Sequence, residues 1–510
     1  MSATPQVQRL DELLAAAAVD HPDRPAVVDG DRTIRYARLD RLVDGLADGL
    51  VKAGVRPGDR VGVYVTKSLD ALAVLYAALR VGAVAAPMEV TDPPERTARI
   101  VRNAGLDMLV TSTRVGTDAA TALLGPQRPR VVRLGPTLQV LAFNDAGPPR
   151  DTGGGYLLFT SGSTGTPKGV LLSHRNVLHF VEWAVGEFGA GPTDRIGSQS
   201  ALTFDLSTFD IFGSAMAGAC LCLMPEPYKS FPRDAVRWLA EERISLFYAV
   251  PTLWMALLDR GGIAEQPPPD LRVIAFAGEP FPQAGLQRYT EVFADRAFYN
   301  LYGPTETNVC TFEKLPRDWS AAAGLSIGRP ISDTRVELVD DEGRAGSEGE
   351  IAVAGPSVFL GYLQDGELHE QTVPVVSGDG TTVAAYLTGD LARYGSDGKL
   401  YLRGRRDHQI KRRGHRIELP EIESVVREIP GVRSCAAVWR PDVSVHGEIW
   451  LFVVTDGVPS DQVRRAVGSV LQASALPDRI ELVDALPENG RGKIDREALA
   501  SRLTGQGVTP

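Results

Sequence analysis

Tyr156-Leu157-Leu158-Phe159-Thr160-Ser161-Gly162-Ser163-Thr164-Gly165-Thr166-Pro167-Lys168-Gly169-Val170 is the stretch from which the fold can be read. Residues 156–159 are an apolar run of the kind that forms a short buried strand. The run breaks into a loop of Gly, Ser, Thr, Pro and Lys, and Val170-Leu171-Leu172 then resumes a strand pattern. Strand, small-residue loop and strand make a hairpin whose tip can lie close to a ligand. Gly162, Gly165 and Gly169 tolerate positive φ and let the backbone approach closely. Exposed N–H groups, several hydroxyls and one ammonium together suit a polyphosphate. The loop is not a Walker loop, which needs Gly-x-x-x-x-Gly-Lys-Ser/Thr opening a helix. Counted from Gly162 the second Gly falls at Pro167, and Lys168 is followed by Gly169. The dinucleotide fingerprint fails too, because no helix opens here.

Outward from this loop the chain alternates between helix and strand patterns. Residues 8–19 read as a helix carrying Leu10, Leu13 and Leu14, and 26–28 with 33–36 flank Asp29-Gly30-Asp31 as a hairpin. Leu39, Leu42, Leu46 and Leu50 recur at helical spacing. A strand at 60–65, an apolar helix at 71–81 and a strand at 83–88 follow. Such alternation implies α/β layers with parallel sheets. Residues 112–155 carry no clear pattern, and alternation resumes over 171–310. Short β runs with frequent Gly over 343–361 suggest a smaller β subdomain. An abrupt charged stretch at 404–416 precedes a helix at 419–426, strands at 433–439 and 448–454, and a helix at 460–472. The boundary is placed within 404–411, and the remainder is long enough for a small domain. The expected fold is α/β, with a large N-terminal domain of layered α/β subdomains plus a β subdomain over 1–406. It is hinged to a small α+β C-terminal domain over 407–510.

At 510 residues the chain exceeds one core. A net charge of −10 argues against general nucleic-acid binding. Cys220, Cys222, Cys310 and Cys435 are too few and too scattered for a disulfide framework, and Cys220 and Cys222 sit in an apolar run that reads as buried. The seven histidines show no zinc-ligand spacing. No apolar leader and no run of 18 apolar residues is present, so no membrane association is expected and a cytosolic location is.

Three further stretches carry chemistry. Asn300-Leu301-Tyr302-Gly303-Pro304-Thr305-Glu306-Thr307 is a turn that supplies one hard oxygen ligand, and Mg²⁺ on a nucleotide needs few carboxylates besides the phosphates. Tyr386-Leu387-Thr388-Gly389-Asp390-Leu391 offers a carboxylate at a turn, which can accept both ribose hydroxyls. Gly490-Arg491-Gly492-Lys493-Ile494-Asp495 places a lysine in a Gly-rich turn.

These stretches and the opening loop occur in the order in which they occur in the adenylate-forming superfamily, which includes acyl-CoA synthetases, luciferases and the adenylation domains of nonribosomal peptide synthesis. The chain resembles that superfamily over essentially its whole length. The resemblance implies ATP and Mg²⁺ as cofactors. It assigns Thr160, Ser161, Gly162, Ser163, Thr164, Gly165 and Lys168 to the phosphates, with Lys168 neutralising the departing pyrophosphate. It assigns Gly278 and Glu279 to the adenine side, Asn300, Tyr302, Gly303 and Thr305 to the nucleotide, Glu306 to Mg²⁺, Asp390 to the ribose, and Arg405 to the ribose or a phosphate. Asp407 becomes the hinge and Lys493 the mobile catalytic lysine. The chemistry fits: carboxylate attack on the α-phosphate builds negative charge that an ammonium delivered at the right moment stabilises.

Phe204-Asp205-Leu206-Ser207-Thr208-Phe209-Asp210 is similar to the segment that opens the amino-acid pocket of peptide-synthetase adenylation domains, which implies that Asp205 pairs with the substrate ammonium. Such a pair at about 4 Å is worth roughly 4 kcal/mol in Coulomb terms at an effective dielectric near 20, before desolvation. A helix N-cap is the alternative role for this Asp. The remaining pocket positions carry over to Leu206, Phe209, Tyr248, Ala275, Ala277, Leu301, Val309 and Cys310. The lining is apolar apart from the Tyr and Cys, and it holds no charge to receive an ionic side chain. A small neutral amino acid of alanine to proline size follows, as in stand-alone ligases that load such residues onto carrier proteins. With no condensation or carrier motif in the sequence, the phosphopantetheine thiol is expected on a separate carrier protein in natural-product biosynthesis. An acyl- or aryl-CoA ligase and a D-alanine–carrier protein ligase remain as alternatives. The basic cluster Arg405, Arg406, Lys411, Arg412, Arg413 and Arg416 reads either as a surface for an acidic carrier or as a solvated hairpin.

Overall fold

A computed structural model describes residues 7–114, 129–143, 150, 152–162, 166–407, 409–440, 447–487 and 494–504. Lys493 and the loop residues Ser163, Thr164 and Gly165 lie outside the described residues. The chain divides into two compact units, Met1–Val90 with Ala104–Leu158 and Gly169–Arg406 in one, and Thr91–Asn103 with Phe159–Lys168 and Asp407–Pro510 in the other.

The first unit is built on two nine-stranded sheets and a five-stranded one. In one large sheet the central strands run parallel, with Leu246–Ala249 beside Val273–Phe276 and that beside Ala297–Tyr302. Every residue of Val273–Phe276 is buried, as expected of a parallel strand covered on both faces. Tyr248, Ala275 and Tyr299 are direct register partners and so lie in one row on one face of the sheet. Leu301 stands on that face two residues beyond Tyr299. The second large sheet holds Arg60–Tyr64, Val84–Pro87, Gly154–Thr160 and Lys168–Ser173, the last two as neighbours. The apolar run at 156–159 and its successor at 170–172 are therefore strands, as their composition predicts.

Helix Leu69–Val81 shows why this layer is rigid. Ser68 caps it by accepting from the Ala71 N–H, Gly82 ends it at φ +85°, and every residue from Leu69 to Leu79 but Asp70 is buried. A helix this deeply buried belongs between layers. The five-stranded sheet spans 335–405 and is antiparallel. Here one expectation changes: Asp390 lies not at a turn but inside the 13-residue strand Thr382–Tyr394. Gly389 at φ +77° and register shifts against both neighbouring strands kink that strand, which is why the local sequence resembles a turn.

In the second unit a hairpin of Gln409–Arg412 and His415–Glu418 leads into helix Leu419–Arg427. Ile417, Ile422 and Val426 from these elements join Ala437, Ile449, Leu451, Val453 and Val463 in its core. Strand Glu448–Thr455 pairs antiparallel with Val432–Arg440 and parallel with Arg479–Leu482. The chain passes from the first unit to the second after Val90, after Leu158 and again between Arg406 and Asp407. Among the described residues no helix is long and apolar enough to cross a membrane, and all four cysteines are buried free thiols.

Candidate functional site

The best-defined cluster joins three of the predicted nucleotide residues. Asp390 is 5 % exposed. One of its carboxylate oxygens accepts from the Tyr302 hydroxyl at 2.7 Å, and the other from Arg405 Nη1 at 2.7 Å. Arg405 stands directly opposite Asp390 on the neighbouring strand, so sheet register delivers the pair. The Asp390 N–H donates to Thr388 Oγ1 at 3.1 Å, and Arg405 Nη2 donates to the Thr388 carbonyl at 3.2 Å. The result is a fixed carboxylate oriented by two donors, of the kind that accepts diol hydroxyls. Burial, followed by the Asp390 charge, holds the Tyr302 phenol neutral.

Glu306 lies in the loop between strands Ala297–Tyr302 and Thr311–Lys314 and is fully buried. The Tyr362 hydroxyl donates to Glu306 Oε1, and that hydroxyl lies 3.2 Å from the Tyr386 hydroxyl. The Phe359 N–H donates to the Glu306 carbonyl at 2.8 Å. Gly303 is obligatory in this loop: a Cβ there would sit 1.7 Å from the Asn308 carbonyl oxygen. Thr305 is half-buried beside them. Among the described residues no group of three or more His, Cys, Asp or Glu forms a metal cage. One carboxylate completed by phosphate oxygens is the donor set that Mg²⁺ takes on a nucleotide, and Glu306 fits it.

Asn300 donates through Nδ2 to the Ser326 carbonyl at 2.7 Å. Glu279 has a structural task that the sequence did not reveal. Its Oε2 accepts from the Thr252 N–H at 3.2 Å and the Thr252 hydroxyl at 2.6 Å, capping helix Pro251–Asp259 from outside. Gly278, at φ +89°, makes the turn between strand Val273–Phe276 and this cap.

On the amino-acid side, Leu206, Phe209, Tyr248, Ala275, Ala277, Leu301 and Val309 all lie in one buried cluster. Cys310 belongs to an adjoining cluster with Tyr302. The Phe209 ring meets Phe188 edge-on at 5.1 Å, and Phe188 leans on Tyr299 at 4.8 Å. Asp205 occupies the N-cap position of the short helix Leu206–Thr208, yet its side chain makes no cap hydrogen bond. The capping alternative is thereby removed. Tyr248 is held neutral by burial, then by the charges of Asp205 and Asp210, which places both carboxylates in its surroundings.

The phosphate loop belongs to the second unit. Thr160 is buried with its hydroxyl lacking a hydrogen-bond partner, and Ser161 Oγ donates to the Arg416 carbonyl at 2.9 Å. A Cβ on Gly162 would fall 2.2 Å from the Thr166 carbonyl oxygen, so only Gly fits that bend. Lys168 is half-buried at the start of strand Lys168–Ser173. Asp407 is exposed and accepts from the Gln409 N–H at 3.2 Å. The described chain resumes after Lys493 at Ile494, and Arg496 then donates to both Glu423 oxygens at 2.7 and 2.9 Å.

The family profile "AMP-binding enzyme" matches residues 14–363, and "AMP-binding enzyme C-terminal domain" matches residues 421–493. The chain belongs to the AMP-binding enzymes. It is 34 % identical over 514 residues to an L-proline–[L-prolyl-carrier protein] ligase of Pseudomonas fluorescens, covering 97 % of this chain and 99 % of that one. It is 32 % identical over 537 residues to a ligase of the same name from Streptomyces coelicolor, covering 98 % and 97 %. The crystal structure of IdnL1 superposes with a TM-score of 0.79 at 28 % identity, covering 95 % of this chain and 99 % of that one.

In this AMP-binding enzyme several supporting residues escaped sequence reasoning. Tyr362, which holds Glu306, follows Gly361 with no local signal beyond an aromatic in a strand. The basic cluster is corrected in part. Arg412 is only 4 % exposed and is spent on the Ser474 and Leu476 carbonyls and on Asp478, so it is neither a solvated residue nor a docking cation. Arg405 is committed to Asp390, and Arg406 to Glu350 and Asp341.

Proposed function

We propose that the protein activates a small neutral amino acid, with proline foremost, as its aminoacyl adenylate and transfers it to the phosphopantetheine thiol of a separate carrier protein. The observation that carries this reading is Asp205, a half-buried carboxylate not used for capping, at the head of a segment whose neighbours Leu206, Phe209, Tyr248, Ala275 and Ala277 share one buried apolar cluster. A carboxylate there recognises the ammonium of an amino acid, which a fatty or aryl acid lacks. The two relatives named for L-proline and its carrier support the same substrate size.

In the first half-reaction a substrate carboxylate oxygen bonds to the α-phosphorus, and the bond to the β-phosphate bridging oxygen breaks, releasing pyrophosphate with the electron pair. Asp390, oriented by Tyr302 and Arg405, holds the ribose. Thr160, Ser161, Gly162, Ser163, Thr164, Gly165 and Lys168 hold the phosphates, and Lys493 meets the developing charge. Glu306 would hold Mg²⁺, which supplies neutralisation of phosphate charge. In the second half-reaction the carrier thiol, losing its proton, attacks the acyl carbon and AMP departs. The proposed division of labour is a core over 1–406 and a mobile part over 407–510 that pivots at Asp407 and brings Lys493 in.

The reading is tested by mass spectrometry of thioester products. Incubation with ATP, Mg²⁺ and L-proline is expected to acylate a phosphopantetheinylated carrier and leave free coenzyme A unmodified. Efficient acylation of coenzyme A by carboxylic acids without an amine would favour the CoA ligase instead, and preference for D-alanine over L-amino acids would favour cell-wall type loading.

A further inference from the structure

Lys67 lies just before the buried helix Leu69–Val81. Its Nζ donates to the Ser198 carbonyl at 2.8 Å and to the Ser200 carbonyl at 2.7 Å. Ser198 ends strand Arg195–Ser198, and the segment leaving that strand reaches Asp205 five residues after Ser200. In an extended chain carbonyls two residues apart point the same way, so one ammonium can clamp both. Beyond Asp205 the helix passes through a π turn, Phe209–Gly213, that carries Asp210 inward. π turns concentrate at functional sites. Asp210 is fully buried, and its carboxylate faces the buried Ser198 hydroxyl. Burial pushes its carboxyl up, and Lys67 is the cation that opposes the rise.

Burying such charges seldom serves stability, because apolar residues of similar volume do as well or better. What the arrangement does supply is a fixed course for residues 198–205. We infer that Lys67 is a positioning residue for amino-acid binding: it ties the Ser198 and Ser200 carbonyls so that Asp205 is presented to the substrate ammonium. The inference rests on the assignment of Asp205 to the amino acid. It adds that the pocket's entrance is set by a lysine more than a hundred residues upstream, outside every stretch that carries the family's signature.

The experiment measures ATP–pyrophosphate exchange in the full chain with proline, and thermal midpoints, for wild type, Lys67→Met, Lys67→Arg and Lys67→Met/Asp210→Asn. Lys67→Met is expected to raise KM for the amino acid by about tenfold or more while KM for ATP moves less than about threefold. Lys67→Arg, which keeps a donor cation, is expected to recover part of the amino-acid KM. The double variant removes both charges and guards against a single variant that does not fold. It is expected to regain much of the lost thermal midpoint but not the amino-acid KM. The inference is overturned if both KM values rise together in step with the loss of thermal stability. It is equally overturned if the double variant restores the amino-acid KM along with the midpoint. Absence of amino-acid-dependent exchange in the wild type would overturn the underlying assignment and the inference with it, whereas wild-type exchange with an unchanged amino-acid KM in Lys67→Met would overturn the inference alone.

Discussion

At the residue scale the site is a set of charges each held by a named neighbour. Asp390 is oriented by Tyr302 and Arg405, and Glu306 by Tyr362. The role proposed for Lys493 differs in kind, because it is to arrive at the developing charge. Lys493→Ala is expected to slow adenylate formation about a hundredfold or more while transfer from preformed aminoacyl adenylate to the carrier is largely kept. Rapid-quench measurement of each half-reaction checks this, and equal loss in both would contradict the role. Asp205, Glu306 and Asp390 stand out in the sequence as candidates because each lies in a motif that implies a chemistry for its carboxylate. Residues that hold them do not. Tyr362 reaches Glu306 across 56 positions of sequence, and only the fold makes them neighbours.

At the element scale the strand and helix patterns translate well where burial is continuous. The apolar helix after Ser68 and the strands on either side of the phosphate loop are where their periodicity predicts. The pattern misleads where a strand is bent: Thr388-Gly389-Asp390 has turn composition, yet it is a kinked strand held by ladders on both sides. Glu279 shows the same gap between local sequence and distant use. Its carboxylate caps helix Pro251–Asp259 through Thr252. Glu279→Ala is expected to cost about 1 kcal/mol of stability, as losing a helix cap does, with a smaller effect on KM for ATP. Chemical denaturation alongside exchange kinetics separates the two. A large rise in KM for ATP at unchanged stability would show that the carboxylate serves the nucleotide directly.

At the scale of the whole molecule, the chain supports two compact units with separate cores, and Arg412 belongs to the interior of the second. Replacing a buried arginine that satisfies two carbonyls and one carboxylate removes a donor from each, although Asp478 keeps the Ile449 N–H. Arg412→Met is therefore expected to destabilise that unit by about 3 kcal/mol, read by denaturant unfolding, and to leave KM for the carrier unchanged in the folded fraction. A charged hairpin in the sequence could not reveal this, because burial of an arginine depends on carbonyls that arrive from residues 474 and 476. The account as a whole stands on the claim that this AMP-binding enzyme activates an amino acid by its ammonium and by the small size of its side chain. ATP–pyrophosphate exchange across the twenty amino acids, with cyclopentanecarboxylate as a proline shape lacking the amine, tests it most directly. The strongest exchange is expected with proline or another small neutral amino acid, and none with cyclopentanecarboxylate. Strongest exchange with Phe, Arg or Glu, or comparable exchange with the amine-free acid, would contradict it.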